Sequence, residues 1–246
     1  MKITADLIKE IAYAERVVFF TGAGISAESG IPVFRGKDGI WNKLKPEELA
    51  NFNAFLKNPE LVWEWYQHRK KIISDSGPNA GHLAIVGMEK YFPDVKVITQ
   101  NIDNMHKRAG SKTVYELHGN IERNYCIKCK KVYHDNLPLE GKIPMCECGG
   151  LIRPDVVWFG EYLPEDQFLG GEKAAINSDI FFVVGTSAIV YPAAGLVYTA
   201  RQSGSTIVEI NIEETPFSSI ADYSYFGKAG EVLPIILEEY KSRLKS

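Results

Sequence analysis

The stretch Val17–Trp41, "VVFFTGAGISAESGIPVFRGKDGIW", carries the strongest structural signal in this chain of 246 residues. Four apolar residues lead into the turn Gly22-x-Gly24-x-x-Ala27. A glycine turn directly after a buried strand is typical of dinucleotide-binding folds, because backbone N–H groups can then approach a pyrophosphate. The pattern alone is equally compatible with an ordinary glycine-rich turn.

The residues after the turn depart from the usual dinucleotide fingerprint. Gly30 and Pro32 should stop any helix after about one turn, and no strand ending in an acidic residue follows some 20 residues later. A partner for a ribose is therefore expected from other strand ends. The run at 206–212, "TIVEINI", is followed by Glu213 and ends near Asn211, and the turn 185–187, "GTS", supplies a second small polar strand end.

The rest of the chain alternates strand and helix patterns. Apolar runs stand at 17–20, 95–99, 113–117, 180–184 and 206–212, and helical patterns at about 79–92, 165–176 and 192–203. This alternation predicts an α/β fold with a Rossmann-like, doubly wound parallel sheet. Two segments do not follow it and predict a smaller lobe: a helical, aromatic-rich segment at 36–78 and a polar segment at 121–153. The larger lobe would then comprise 1–35, 79–120 and 154–246 of one domain.

Composition excludes several classes of protein. With 45% hydrophobic and 11% aromatic residues, the chain can bury a substantial core. The net charge of -3 gives no sign of nucleic-acid binding, and no apolar run approaches the roughly 20 residues of a membrane span. The N-terminus, with Thr4 as a helix cap, does not resemble a signal peptide. We expect a cytoplasmic monomer with no membrane or specific nucleic-acid partner.

All the cysteines lie in the second inserted segment, as two close pairs: Cys126, Cys129, Cys146 and Cys148. In a reducing compartment, two such pairs favour tetrahedral zinc over disulfides. The second pair has Cys-x-Cys spacing, and His134 between the pairs is an alternative ligand. Four protein ligands leave no open position, so the zinc would be structural. The lysines at 128, 130 and 131 fit a solvated ribbon face better than a nucleic-acid groove.

Polar residues follow two of the predicted strands. Gln100, Asn101 and Asp103 come directly after the strand at 95–99, and His118 follows the strand at 113–117. The carboxyl ends of parallel strands meet at one rim, where ligands bind. A single histidine in a turn is more often structural than catalytic, and its place beside another polar strand end strengthens the case for catalysis without deciding it.

Six motifs, in order, resemble those of the sirtuins, a family of NAD-dependent protein-lysine deacylases. They are "GAGISAESGIPVFRG", "TQNIDNMH", "ELHGN", "RPDVVWFGE", "VVGTSAIVYPAA" and, near the end, "GKAGEV". In this family the glycine turn is followed by a flexible cofactor-binding loop instead of a long helix, which here would be Ala27–Trp41. Val33 stands where the family commonly has Asp, and Phe34 and Arg35 are retained.

The resemblance implies an NAD-dependent mechanism. The pyrophosphate would lie on the backbone of Gly22, Ala23 and Gly24, and Asp103 would bind the nicotinamide carboxamide. Asn101 would fix the ribose, and His118 would act as general base on a ribose hydroxyl; these two are the catalytic residues. The products would be free lysine, nicotinamide and O-acyl-ADP-ribose. The implied NAD-binding residues are Gly22, Ala23, Gly24, Ser26, Phe34, Arg35, Trp41, Gln100, Asn101, Ile102, Asp103, Gly185, Thr186, Ser187, Asn211, Ile212, Glu213 and Ala229.

The same resemblance implies an acylated lysine in an extended peptide as the substrate. The peptide would pair with "VVWFGE" and "SAIVYP" by strand addition. The implied contacts are Val157, Phe159, Gly160, Glu161, Val190 and Tyr191. Val157 is also compatible with a simple buried strand.

The acyl group is predicted from "VWEWYQHRKK" at 62–71. If this segment is helical, Tyr66 and Arg69 share a face, although an ordinary amphipathic helix would show the same pattern. Arg can hold a carboxylate in a bidentate manner, and a phenol can add a hydrogen bond. The pair resembles the signature of the desuccinylase and demalonylase branch of sirtuins. We therefore expect removal of succinyl and malonyl groups, with acetyl as a further substrate.

Other functions remain open on the sequence. A plain protein deacetylase or a mono-ADP-ribosyltransferase shares most of the same motifs. The glycine turn alone would also permit an NAD-dependent dehydrogenase. A zinc-ribbon binding module without catalysis would leave the polar strand ends at 100–103 and 118 without a purpose.

Overall fold

The structure is a computed structural model, which describes residues 2–34, 39–40, 45–134, 137, 139–140, 143–187 and 189–244. The strands described are β1 Arg16–Thr21, β2 Asp94–Thr99, β3 Val114–Glu116, β4 Gly119–Cys126, β5 Val132–Tyr133, β6 Leu139–Glu140, β7 Ile143–Pro144, β8 Ile152–Val156, β9 Ile180–Val184, β10 Thr206–Asn211 and β11 Tyr223–Phe226. The α-helices described are α1 Ala5–Tyr13, α2 Pro46–Leu49, α3 Phe52–Lys57, α4 Pro59–Ser74, α5 Ala80–Met88, α6 Met105–Ala109, α7 Glu165–Asn177, α8 Gly195–Gln202 and α9 Ala229–Leu244.

Six parallel strands form the main sheet, in the order β3-β2-β1-β9-β10-β11. The chain moves outward in one direction from β1 and in the other direction from β9, which is the doubly wound arrangement that the alternating pattern predicts. The strand order therefore reverses between β1 and β9. Thr21 pairs with both Thr99 and Val184, so β1, β2 and β9 end in register at the same edge of the sheet. Ligands bind at this position in open α/β sheets.

Hydrophobic side chains cover both faces of the sheet. Alternate residues of β1 point to opposite faces: Val17 and Phe19 pack with α1, α5 and α9, and Val18 and Phe20 pack with α7 and α8. Nearly continuous apolar runs are buried on both faces for this reason. None of the described helices is both long enough and apolar enough to cross a membrane.

A third core lies in the two inserted segments. Phe55 of α3 and Trp63 of α4 pack with Ile121 of β4 and with Ile152 of β8. The indole Nε1–H of Trp63 also donates to the Ile152 carbonyl oxygen at 2.9 Å, so α4 is fixed directly to β8. The helical segment and the ribbon thus share one core.

Some element boundaries differ from the prediction. The edge strand β11 was not predicted, because "YSYF" is short and only partly buried. β4 begins at Gly119 and β8 continues to Val156, so the expected boundaries at 121 and 153 fall inside these strands. The strands carry the chain from the main sheet into the ribbon without a linker. The division into two lobes stays a prediction.

The four cysteines converge at one end of the ribbon. Their Sγ atoms all lie within 4.8 Å of one another. Cys126 and Cys148 are 3.5 Å apart, and Cys129 and Cys146 are 3.6 Å apart. Sulfur atoms around tetrahedral zinc lie roughly 3.8 Å apart, since each Zn–S bond is about 2.3 Å. The cluster therefore fits one zinc ion, and the exposed His134 does not belong to it.

Groups around the cysteines also suit thiolate ligands. The Lys128 and Cys129 backbone N–H groups approach the Cys126 sulfur at 3.4 and 3.5 Å, and the Tyr133 hydroxyl lies 3.1 Å from the Cys146 sulfur. Such donors orient thiolates and stabilise their charge. The Cys-x-Cys spacing of the second pair does not prevent the four sulfur atoms from converging.

We expect elemental analysis to find about one zinc per chain, because metal binding and local folding are coupled in such sites. Removing zinc with a chelator should loosen β8 and shift the fluorescence of the buried Trp63 to longer wavelength. Cys146→Ala should lose the metal, whereas His134→Ala should retain it as the matched control. Less than about a tenth of an equivalent of zinc in well-folded protein would contradict a structural zinc site.

Candidate active site

Two glycine turns meet where the strand order reverses. The Gly24 N–H donates to the Gly185 carbonyl oxygen at 2.7 Å, and the Gly22 N–H donates to the Val184 carbonyl oxygen at 3.0 Å. A Cβ on Gly24 would lie 2.7 Å from the Gly185 Cα, and a Cβ on Gly22 would lie 2.6 Å from the Thr186 Cβ. Both positions require glycine because the turn after β1 packs backbone against backbone on the turn after β9.

This packing changes the expected role of the glycine turn. Two of the three N–H groups expected to face a pyrophosphate already donate to carbonyl oxygens of the neighbouring turn. The Ala23 N–H is left as the candidate donor. Residues Ala23–Ser29 form a 3₁₀ helix, and Gly30 ends it with φ +81°. The prediction that no long helix follows the turn is correct, and the left-handed Gly30 is its local reason.

The polar residues after β2 form a buried hydrogen-bond network with the glycine turn. The Asn101 amide donates to the Gly22 carbonyl oxygen at 3.0 Å and to the Ser26 hydroxyl at 3.2 Å. The Ser26 hydroxyl in turn donates to the Asp103 carboxylate at 2.7 Å. Burial raises the pKa of Asp103, while hydrogen bonds from Met105 N–H and Ser26 and the charge of Arg69 act in the opposite direction. The network fixes the orientation of all three side chains.

His118 lies at the end of β3 with its tautomer determined. Nδ1 is 2.9 Å from the Gln100 carbonyl oxygen, and a carbonyl only accepts, so Nδ1 carries the proton. Nε2 is then an acceptor that can receive a proton, on a residue that lines the main cleft. Burial lowers the pKa of His118 below the usual value of about 6.5, and the bond to Gln100 opposes this only in part. His118 is therefore neutral at pH 7, as a general base requires.

The ends of β9 and β10 are joined to the same rim. The Gln100 side-chain amide donates to the Thr186 hydroxyl at 2.9 Å, and the Asn211 amide donates to the Thr186 carbonyl oxygen at 2.9 Å. Asn211 stays a predicted ribose contact, and one N–H of its side-chain amide has this internal partner. Glu213, two residues later, lines the cleft.

A cleft of about 730 Å³ runs along this rim, within the usual size range of ligand sites. It brings most of the predicted residues together. The predicted residues that line it are Gly22, Ala23, Gly24, Phe34, Gln100, Asn101, Ile102, His118, Gly185, Thr186, Ser187, Asn211, Ile212, Glu213 and Ala229 on the cofactor side, and Tyr66, Val157, Phe159, Gly160, Glu161, Val190 and Tyr191 on the substrate side. Arg35 and Trp41 lie outside the described residues.

Three predicted residues line a smaller, adjacent pocket instead: Ser26, Arg69 and Asp103. Asn101, Ile102 and Phe34 line both spaces. The Arg69 guanidinium lies 4.5 Å from the Phe34 ring centre and 5.3 Å from that of Trp65. Arg69 is 4% exposed, and its Nε has no hydrogen-bond partner among the described residues. Burial lowers the pKa of Arg69.

The segment after β8 is anchored by Arg153, to which the sequence alone assigned no role. The buried Arg153 guanidinium donates to both carboxylate oxygens of Glu161 and to the Val156 carbonyl oxygen. Glu161 also accepts from the Trp158 N–H at 2.8 Å. Glu161 stays a predicted peptide contact that lines the cleft, and its carboxylate also holds this segment.

Trp158 also orients Tyr66. Its indole Nε1–H donates to the Tyr66 hydroxyl at 2.7 Å, and both side chains are buried. The Tyr66 oxygen therefore accepts from Trp158, while its own proton remains available to a ligand. The sequence shows Trp158 within the motif "RPDVVWFGE". It gives no sign that this tryptophan contacts α4, which lies some 90 residues earlier in the chain.

Two further buried histidines lie beside the network. His82 Nε2 is 3.5 Å from the Ser26 hydroxyl, and His106 Nε2 is 2.9 Å from the Thr21 hydroxyl. Burial lowers the pKa of His82 to about 4, so this side chain is neutral. Sequence reasoning missed both, because a histidine within a helical pattern gives no signal of its tertiary neighbours.

Comparison with known proteins gives consistent matches. The Sir2 family profile matches residues 22–192. The chain is 50% identical over 243 residues to NAD-dependent protein deacylase 2 of Pyrobaculum aerophilum, with 98% of this chain and 96% of that protein covered. It is 50% identical over 233 residues to the NAD-dependent protein deacylase of Aquifex aeolicus, with 92% of this chain and 98% of that protein covered.

Solved structures agree with these sequence matches. The crystal structure of a Sir2 homologue in complex with NAD superposes with a TM-score of 0.92 at 45% identity, covering 99% of this chain and 96% of that chain. A Sir2 structure with a p53 peptide and NAD⁺ gives a TM-score of 0.89 at 35% identity, covering 98% of this chain and 100% of that chain. The motifs at the strand ends and these matches lead to one conclusion: the chain belongs to the Sir2 family.

Proposed function

We propose that this chain is an NAD-dependent protein-lysine deacylase. The observation that carries the proposal is the position of His118, a neutral imidazole whose Nε2 can accept a proton on the cleft between the glycine turn and the segment 157–161. Relatives named NAD-dependent protein deacylase at half identity support it. Bound NAD supplies the ribose carbon that receives the acyl oxygen, with nicotinamide as the leaving group. One water is consumed, and the products are free lysine, nicotinamide and O-acyl-ADP-ribose.

Each residue around His118 has a separate role in the reaction. His118 takes a proton from a ribose hydroxyl at Nε2, while the Gln100 carbonyl oxygen holds Nδ1–H and keeps the ring oriented. Asp103 binds the nicotinamide carboxamide, and Asn101 holds the ribose through the rim network. Because these side chains are already hydrogen-bonded in place, little reorganisation is needed when substrates bind.

The acylated peptide binds in an extended form beside residues 157–161. Three backbone N–H groups of this segment already have partners: Val157 donates to the His118 carbonyl oxygen, Phe159 to the Ala50 carbonyl oxygen and Glu161 to the Trp158 carbonyl oxygen. The Gly160 N–H and the Val157 carbonyl oxygen are two candidates for main-chain pairing with a peptide. The direct bond from Val157 to His118 couples peptide position to the general base.

Carboxylate-bearing acyl groups are selected by Tyr66 on the main cleft together with Arg69 in the smaller pocket beside it. Arg69 is a buried guanidinium stacked on aromatic rings, with Nε unpartnered among the described residues. A buried donor without an acceptor is costly, and a succinyl or malonyl carboxylate would supply an acceptor for Nε. Tyr66 adds a hydroxyl proton because Trp158 occupies its acceptor side. Phe34 covers Arg69, so its ring must move before an acyl carboxylate can enter.

Mass spectrometry of acetyl-, malonyl- and succinyl-lysine peptides incubated with NAD tests the proposal directly. A deacylase yields free lysine and O-acyl-ADP-ribose, whereas a mono-ADP-ribosyltransferase adds ADP-ribose to a protein. Reduction of NAD would indicate a dehydrogenase instead. The cytoplasmic location and the monomeric state stay predictions.

We expect His118→Ala to reduce kcat/KM by about 10²- to 10⁴-fold, the usual contribution of a general base. Thermal unfolding should change little, because His118 is only partly buried. The exposed His134, which does not line the cleft, provides the matched control, and His134→Ala should keep full activity. Near-complete activity in His118→Ala would remove this residue from the mechanism.

The pKa of His118 predicts the pH profile. The neutral form is the base and the pKa is lowered by burial, so activity is present above that pKa and is lost as pH falls through it. We expect kcat/KM to be level near neutral pH, with an acid limb whose midpoint lies below about 6.5. A midpoint above about pH 7 would show that another group controls the limb.

Arg69→Met should lower kcat/KM for succinyl-lysine peptide by roughly 10- to 150-fold, the range expected for a lost charge-assisted contact. Acetyl-lysine should be affected much less, since it has no carboxylate. Lys70→Met, at the next position of the same helix, removes a positive charge outside the pocket and serves as the control. Equal losses for both peptides, or a wild-type enzyme inactive on succinyl-lysine, would favour a plain deacetylase.

A further inference from the structure

Glu209 is a buried carboxylate in the middle of an apolar strand. It is 1% exposed, and its neighbours Ile207, Val208 and Ile210 are completely buried. An aliphatic side chain at this position would fill the core equally well, and burying a charge is costly unless it is paired or hydrogen-bonded. Packing alone therefore does not explain why this position carries a carboxylate.

Three hydroxyl groups satisfy Glu209. The Thr215 hydroxyl donates to Oε1, and the hydroxyls of Ser218 and Ser224 donate to Oε2 at 2.6 and 3.0 Å. Thr215 and Ser218 lie in the segment 212–220 that follows β10, whereas Ser224 lies in β11. Glu209 thus ties the segment after its own strand to the interior of the sheet.

The same two hydroxyls also determine the shape of the segment. The Thr215 N–H donates to the Ser218 hydroxyl at 2.9 Å, and the Phe217 N–H donates to the Thr215 hydroxyl at 3.1 Å. Because each hydroxyl accepts a backbone N–H, its own proton is directed to the carboxylate. The Phe217 side chain anchors the other side of the segment in the core between the sheet, α7 and α8. Without the carboxylate, neither hydroxyl would have its acceptor.

The segment that Glu209 holds forms one end of the cleft. Residues 211–216 all line it, whereas Glu209 itself does not. At this end the predicted ribose contact Glu213 follows β10, and α9 begins with Ala229 at the cleft wall. On the proposed function, this end receives the adenosine half of NAD.

We infer that Glu209 is a positioning residue for the adenosine half of NAD, acting through the hydroxyls of Thr215 and Ser218. The inference rests on the proposed function for the identity of the ligand. It assigns to Glu209 an effect on dinucleotide affinity that is separate from the chemistry at His118, because the base lies on a different strand end. Loosening the segment should therefore weaken the binding of ADP-ribose and NAD while leaving the reacting groups in place.

Two serines provide a matched test, since both donate to the same carboxylate oxygen. Ser218→Ala removes the donor in the cleft-lining segment, and Ser224→Ala removes the donor in β11. Glu209→Gln keeps the shape of the side chain and loses one acceptor. Calorimetry with ADP-ribose and steady-state kinetics with an acyl peptide would be measured for all three variants, together with thermal unfolding.

We expect Glu209→Gln and Ser218→Ala to raise the Kd for ADP-ribose and the KM for NAD by about 5- to 30-fold. At saturating NAD, kcat and the KM for the peptide should change by less than about twofold. Ser224→Ala should leave the ADP-ribose affinity within about twofold of wild type, although its thermal stability falls as much as that of Ser218→Ala.

Equal ADP-ribose affinities in Ser218→Ala and Ser224→Ala would overturn the inference, as would unchanged affinity in Glu209→Gln. A fall in kcat that follows the loss of folded protein would show a purely structural role. A wild-type chain that bound no ADP-ribose would instead contradict the proposed use of NAD, so the two failures are distinguishable.

Discussion

The close approach of two turns at the centre of the sheet is the constraint on which the site depends. Gly24 and Gly22 lie against Gly185 and Thr186 at distances that no other residue type would allow. The contact joins β1 and β9 at the point where the strand order reverses. On one side of this contact lie the carboxyl ends of β2 and β3, and on the other side lies the carboxyl end of β10. A side chain at either glycine would separate the turns and widen the cleft floor.

The rim behaves as one hydrogen-bonded unit. Gln100 contributes its carbonyl oxygen to His118 and its amide to Thr186, and therefore connects the imidazole of His118 to the turn after β9. Asn101 connects the same strand end to Gly22 and to Ser26. Donors and acceptors arranged before binding cost no reorganisation during the reaction. On the other flank, Glu209 secures the segment after β10 through the hydroxyl groups of Thr215 and Ser218, so hydrogen bonds fix both ends of the cleft.

One end of the cleft is lined by Tyr66 and Trp158. Tyr66 comes from α4, and Trp158 comes from the segment after β8, which Arg153 and Glu161 hold in place. β4 and β8 leave the main sheet region beside His118, since the Val157 N–H donates to the His118 carbonyl oxygen. The cysteine cluster closes the far end of the same strands. A metal bound by these cysteines would therefore stabilise the same strands that lead to the cleft.

The sequence by itself determined the doubly wound sheet, the zinc-binding cysteines and the polar strand ends, because these leave local signals: runs of apolar residues, close cysteine pairs, and polar residues placed directly after strands. It could not determine which partners those residues choose. Only the tertiary structure decided that Glu161 pairs with Arg153, that Asn211 bonds to Thr186, and that Arg69 lies in a separate pocket beneath Phe34. It also decided the tautomer of His118 and the addition of β11 to the sheet. Each of these depends on contacts between residues that are distant in the chain, and no local period or spacing encodes such contacts.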